Sequence, residues 1–123
     1  MKKNIEELKN IALNIRKDII KMLTKSGSGH PGGSLSSVEV LTTLYFYEMN
    51  INPEQPRDLN RDRFVLSKGH AAPALYSTLA RRGYFNVDEL KSLRKIGSML
   101  QGHPNMNEVP GIDMSTGTSF ILG

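Results

Sequence analysis

The 123-residue chain has no cysteine and no tryptophan. Without thiols there is no disulfide framework, no thiolate zinc site and no cysteine nucleophile, and nothing calls for an oxidising compartment. No stretch approaches the roughly 18 apolar residues that a membrane helix needs. The opening Met1-Lys2-Lys3-Asn4-Ile5-Glu6-Glu7 interrupts its apolar residues with charge, so no secretory segment is expected. The expectation is a cytoplasmic chain with no membrane partner. The length fits one compact unit and excludes a second full domain.

Lys and Arg outnumber Asp and Glu by 16 to 12, and the imbalance is local. Residues 1–27 hold seven basic and three acidic side chains, whereas residues 28–123 hold nine of each. A charged helix face is most simply a solvated one, so nucleic acid is not expected as a partner.

Ile5, Leu8, Ile11, Ala12, Ile15, Ile19 and Leu23 fall at helical spacing, which predicts a helix over about Asn4 to Lys25. The following Ser26-Gly27-Ser28-Gly29-His30-Pro31-Gly32-Gly33 reads as a loop that cannot hold a helix. Ser36 and Glu39 have capping-box spacing ahead of a second helix, Ser37 to Glu48, apolar nearly all round and so expected to be buried. Arg63 to Ser67 reads as a short buried parallel strand. Lys68-Gly69-His70 follows, and then a helix from about Ala71 to Arg82 with Pro73 in its first turn. Strand, glycine turn and helix in that order suggest an open α/β sheet, whose ligands sit at such turns. A short helix from Val87 to Lys95, capped by Asn86 with Glu89 three residues on, precedes an aperiodic stretch from Gly97 to Gly123. So long a stretch without periodicity reads as functional, disordered or unfinished.

All three histidines follow glycine: Gly29-His30, Gly69-His70 and Gly102-His103. With glycine at 11 of 123 residues, three in three arises by chance with a probability of about 0.0007. A glycine neighbour lets an imidazole project from a loop, and imidazole titrates near neutrality. The three rings are expected to converge on one pocket as proton-transfer groups. A three-histidine zinc site is the competing chemistry, disfavoured because no i, i+4 pair pre-forms a ligand face.

These residues carry a resemblance. Ser26-Gly27-Ser28-Gly29-His30-Pro31-Gly32-Gly33-Ser34, Leu66-Ser67-Lys68-Gly69-His70-Ala71-Ala72-Pro73, and Leu100-Gln101-Gly102-His103-Pro104 with Pro110-Gly111-Ile112-Asp113-Met114-Ser115-Thr116-Gly117 together resemble the N-terminal half of transketolases. The likeness covers residues 5–117 and is strongest to the separate N-terminal chain of two-subunit transketolases. The related deoxyxylulose-phosphate synthases are less similar around Ser67-Lys68-Gly69-His70.

The resemblance implies an incomplete doubly wound α/β fold, mostly helical over these residues, that binds thiamine diphosphate and Mg2+. It implies transfer of a two-carbon ketol unit from a ketose phosphate to an aldose phosphate in carbohydrate metabolism, within the pentose phosphate pathway. By the same carry-over His30 and His103 are the catalytic positions. His30 contacts the sugar, and His103 faces the thiazolium and bonds the transferred unit. His70 lies beside the diphosphate, and the backbone of Gly117, Thr118 and Ser119 holds the aminopyrimidine. The implied partners are sugar phosphates, a C-terminal transketolase chain or domain, and further copies in an oligomer. The family pattern runs from Ser-Thr-Gly into Ser-Leu-Gly-Gln-Gly, whereas this chain reads Thr118-Ser119-Phe120-Ile121-Leu122-Gly123. Residues 1–123 are therefore expected to be a portion of that domain, truncated after residue 117. They lack the Gly-Asp-Gly block that holds magnesium and are expected to be inactive alone. The alternative is a non-catalytic binding or interaction module that retains the histidine loops.

Overall fold

The computed structural model describes residues 3–27, 29 and 31–115. Helix α1 spans Ile5–Ser26, within a residue of the expected range. Asn4 caps it: its side chain accepts from the Glu7 N–H at 2.9 Å, and the Glu7 carboxylate accepts from the Asn4 N–H at 3.1 Å. Ala12, Ile15, Ile19 and Met22 form its buried stripe, as the spacing requires.

The glycine-rich stretch after α1 departs from expectation. Pro31–Leu35 makes one turn of helix, α2. A proline at the first position needs no N–H partner, which lets even Gly32 and Gly33 follow in helical form. The Ser36 and Ser37 hydroxyls both donate to the Gly33 carbonyl, at 3.1 and 2.8 Å, and tie off the end of this turn. The capping box expected from Ser36 and Glu39 is therefore absent. Ser37 holds the N-cap position of α3 (Val38–Thr43) with an α-region backbone and no capping bond, and Glu39 pairs with Arg16 of α1. The continuous helix expected from Ser37 to Glu48 instead widens at Leu44–Glu48 into a π-helical turn. Val38, Leu41 and Tyr45 enter the core, but Val40 is 59% and Tyr47 40% exposed, so the element is not buried all round.

The strand expected at Arg63–Ser67 does not form. No ladder exists among the described residues; the Phe64 N–H donates instead to the Asp113 carboxylate at 2.8 Å. Leu66 is buried while Arg63 and Val65 are exposed, an alternation that belongs to one covered face rather than two. Lys68 leads into a 3-10 turn, Gly69–Ala71, and straight on into α4, Ala72–Arg82. Every residue from Ala71 to Ala80 is buried. Around α4 pack α1, α2, α3, the π-helical turn and a 3-10 helix, Val87–Ser92. This last element replaces the longer helix expected to Lys95. Its Asn86 cap is formed, with the side chain accepting from Asp88 N–H at 2.8 Å.

Buried polar groups along α4 find partners. Asp18 of α1, 6% exposed, accepts from Ser77 Oγ and from Arg81 Nε and Nη2, each at 2.8 Å. This bidentate bond holds the Arg81 guanidinium above its ordinary pKa. Arg82 Nε donates to the Tyr45 carbonyl at 2.9 Å.

The aperiodic stretch after Gly97 lacks regular structure yet packs closely as far as Ile112. Leu100, Val109 and Ile112 are buried. The Tyr76 hydroxyl donates to the Gln101 carbonyl at 2.6 Å, and Asp113 accepts from Arg61 Nε at 2.9 Å. Gly111 has φ +93, and a Cβ there would lie 2.8 Å from Tyr84 and 2.9 Å from Leu79, so no larger residue fits.

Two expectations follow. Leu79→Ala, at a fully buried position, should cost about 2–5 kcal/mol, and Leu59→Ala, at a position 82% exposed, should stay within about 0.5 kcal/mol; urea unfolding of both variants measures this. Burial also holds the Tyr45 and Tyr76 hydroxyls protonated, well above the usual tyrosine range. That contribution is intact below about pH 10 and is lost as pH rises toward the folded-state values. The urea midpoint should therefore fall from about pH 10 upward, and less steeply in Tyr76→Phe.

Candidate functional site

The site grows from the strandless segment into α4. Leu66 anchors the chain in the core, Lys68 follows on the surface with Nζ donating to Ser36 Oγ at 3.1 Å, and the Gly69–Ala71 turn then presents His70. Helix α2, which starts immediately after the His30 position, packs on that turn and on α4. His103 arrives from the other side on the loop that Tyr76 holds through Gln101.

The two rings meet edge to face, with centroids 5.0 Å apart and planes at 69°. That spacing lies inside the range of attractive aromatic pairs. Residues 33 positions apart in sequence are thus neighbours, as expected for His70 and His103. His30 lies outside the described residues, as do Gly117, Thr118 and Ser119, so the expectations on these four positions fall outside the geometry described.

His70 is exposed and His103 half-buried, but His103 Nε2 is itself shut off from solvent and has no hydrogen-bond partner among the described residues. A buried ring nitrogen in that condition is costly unless something supplies its missing partner. Next to it, Gly102 accepts close approach: a Cβ at this position would lie 3.2 Å from the Arg94 guanidinium. Arg94 holds φ +64, and its N–H donates to the Leu100 carbonyl at 2.8 Å. This strained turn and the buried Tyr76 anchor set the His103 loop. Sequence reading missed both roles. The first has no pattern, since arginine is not a residue that announces positive φ, and Tyr76 simply reads as core.

The site suits an anionic ligand at the His70 turn and a polar group at His103 Nε2. The turn feeds directly into α4, whose opening N–H groups favour negative charge. No group of three or more His, Asp or Glu side chains is gathered for a metal among the described residues, and none of their helices is long and apolar enough to cross a membrane.

Comparison with known proteins agrees with this geometry. The sequence profile of the family described as transketolase, thiamine diphosphate binding domain, matches residues 8–119. The 6-deoxy-6-sulfo-D-fructose transketolase subunit of Clostridium sp. (strain MSTE9) is 49% identical over 112 residues, 91% of this chain and 41% of that protein. An apulose-4-phosphate transketolase subunit from Phocaeicola vulgatus is 46% identical over 102 residues, 83% of this chain and 36% of that one. Among solved structures, the transketolase from Leishmania mexicana superposes with a TM-score of 0.85 at 31% identity, over 95% of this chain and 17% of its own. The chain thus spans about two fifths of the subunits it resembles and a sixth of the longer enzyme, and its mostly helical build superposes on part of that transketolase's fold. On the match over residues 8–119 and the structural superposition, the chain belongs to the transketolase family, within its thiamine diphosphate-binding domain.

Proposed function

We propose that this chain contributes the diphosphate side of a thiamine diphosphate site, and that the assembled protein transfers a two-carbon ketol unit from a ketose phosphate to an aldose phosphate. The observation that carries the reading is the contact between His70 and His103, with His103 Nε2 buried and unpartnered among the described residues. A C-terminal transketolase chain completes the site, as the names of the two relatives, each a transketolase subunit, suggest. A homo-oligomer of that assembly in the cytoplasm, serving pentose phosphate metabolism, belongs to the same reading.

When bound, thiamine diphosphate supplies the carbanion chemistry, and the protein supplies position and proton transfer. His70, at the mouth of α4, donates to a diphosphate oxygen. His103 Nε2, unpartnered among the described residues, would bond a hydroxyl of the sugar's two-carbon unit and so orient it for transfer. His30 moves protons at the sugar's carbonyl and hydroxyl oxygens. The backbone of Gly117, Thr118 and Ser119 holds the aminopyrimidine. Buried Leu66 and Leu100 anchor the segments that carry His70 and His103, so that these two imidazoles need little rearrangement. Magnesium, when bound, would neutralise diphosphate charge, and no group of three or more His, Asp or Glu side chains among the described residues is gathered to hold it.

In the protein assembled with its partner chain, thiamine diphosphate and magnesium, His103→Ala should lower turnover by about 10²-fold or more, the scale of a lost proton-transfer group. Turnover within twofold of the parent contradicts the role given to His103. The 123 residues by themselves should show no tight uptake of thiamine diphosphate with magnesium in a calorimetric titration and no ketol transfer. A micromolar site would show that they need no partner.

A further inference from the structure

The local excess of positive charge on α1 has no part in the histidine site, and the fold gives it a place. Where the C-terminal half of α1 meets the end of α4 and the Val87–Ser92 helix, a crevice encloses about 410 Å3, a volume usual for small-molecule sites. Its charged lining is Lys21, Lys25, Arg81 and Lys91 against Asp18 and Asp88. The charges do not simply cancel. Both Asp18 oxygens are taken by Arg81 and Ser77, so this carboxylate is closed to the lysines. Asp88 lies 3.9 Å from Lys91 with both side chains more than 70% exposed, a pair too solvated to hold either group. Lys21 and Lys25, one helical turn apart on the same face, have no carboxylate within ion-pair distance among the described residues. Three ammonium groups thus face one loosely held carboxylate across an opening.

Beneath them the surface is apolar. Met22 and Leu90 are buried and Val87 half-buried, and all three line the same crevice. A merely solvated lysine face needs no such floor. Cations at the rim over an apolar base match a ligand with a charged end and a flat apolar end. We propose that this crevice is a second ligand site, separate from the histidine loops, that takes a small organic polyphosphate of the nucleoside diphosphate type. The phosphates sit among Lys21, Lys25 and Lys91, and the base lies on Met22, Val87 and Leu90. None of these residues belongs to the catalytic reading above, so the two sites fail or stand independently.

The test is titration of the 15N-labelled full chain with ADP at low ionic strength, followed by amide shifts. Saturable shifts confined to the second half of α1, the end of α4 and residues 87–91 are expected, weakening as salt is raised. Inorganic pyrophosphate should bind at least tenfold more weakly than ADP, because it leaves the apolar floor bare. Lys21→Glu combined with Lys25→Glu, at two exposed positions, should keep the spectrum of the folded chain and lose ADP affinity tenfold or more, while His103→Ala should bind ADP as the parent does. No saturation by millimolar ADP, shifts centred on residues 69–71 and 102–103, equal affinity for pyrophosphate, or an unaffected lysine variant would each overturn the proposal.

Discussion

Burial of α4 is the constraint on which the other elements depend. From Ala72 to Ala80 the helix offers no side chain to solvent, so everything around it must supply a matching surface. The small residues Ala72, Ala74 and Ala80 let neighbours approach closely, while Leu75, Tyr76 and Leu79 fill the gaps between them. Ser77 and Arg81 then meet the one acidic group that α1 buries, Asp18. A carboxylate so placed is tolerable only with all its bonds made, which fixes the rotation of α1 against α4 as firmly as the apolar stripe does. Both histidines of the described site inherit this rigidity. His70 stands in the turn that opens α4, and His103 hangs from the loop that Tyr76 grips.

Two different physical devices converge at that point. The His70 side is built from local sequence: a lysine, a glycine and the entry of a helix. The His103 side is built from distant parts, with the Tyr76 hydroxyl, the left-handed Arg94 and the bare Gly102 each holding a few atoms in place. Asp113 extends the same arrangement to the segment before the turn, since it binds both Arg61 and the Phe64 N–H. The stretch that carries His103 is therefore coupled to the segment that leads into the Gly69–Ala71 turn.

How much of this was legible depended on whether the signal was local. The apolar stripe of α1 and its Asn4 cap can be read residue by residue, because side chains three and four apart meet on any helix. The Gly-His dipeptides and their flanking blocks carried the family and the pairing of His70 with His103. Elements whose form is decided by distant partners were misread. Arg63–Ser67 has strand composition but no neighbouring strand among the described residues, so Asp113 caps it instead. Ser36 and Glu39 have the spacing of a cap, yet Gly33 and Arg16 compete for them and win. Pro31 turned a loop into a helical turn because a proline at a helix start costs nothing. The Arg94 turn and the lysine-rimmed crevice had no sequence pattern, since each exists only after separate elements have packed.

In the proposed function the His70 and His103 pair forms part of a thiamine diphosphate site. That assignment is tested most directly by 15N NMR of the imidazole nitrogens in the chain assembled with its partner, before and after addition of thiamine diphosphate and magnesium. The ring nitrogens of His70 and His103 should both shift as the cofactor saturates, with the two responses sharing one binding curve. Saturable cofactor binding that leaves both imidazoles unchanged would contradict it.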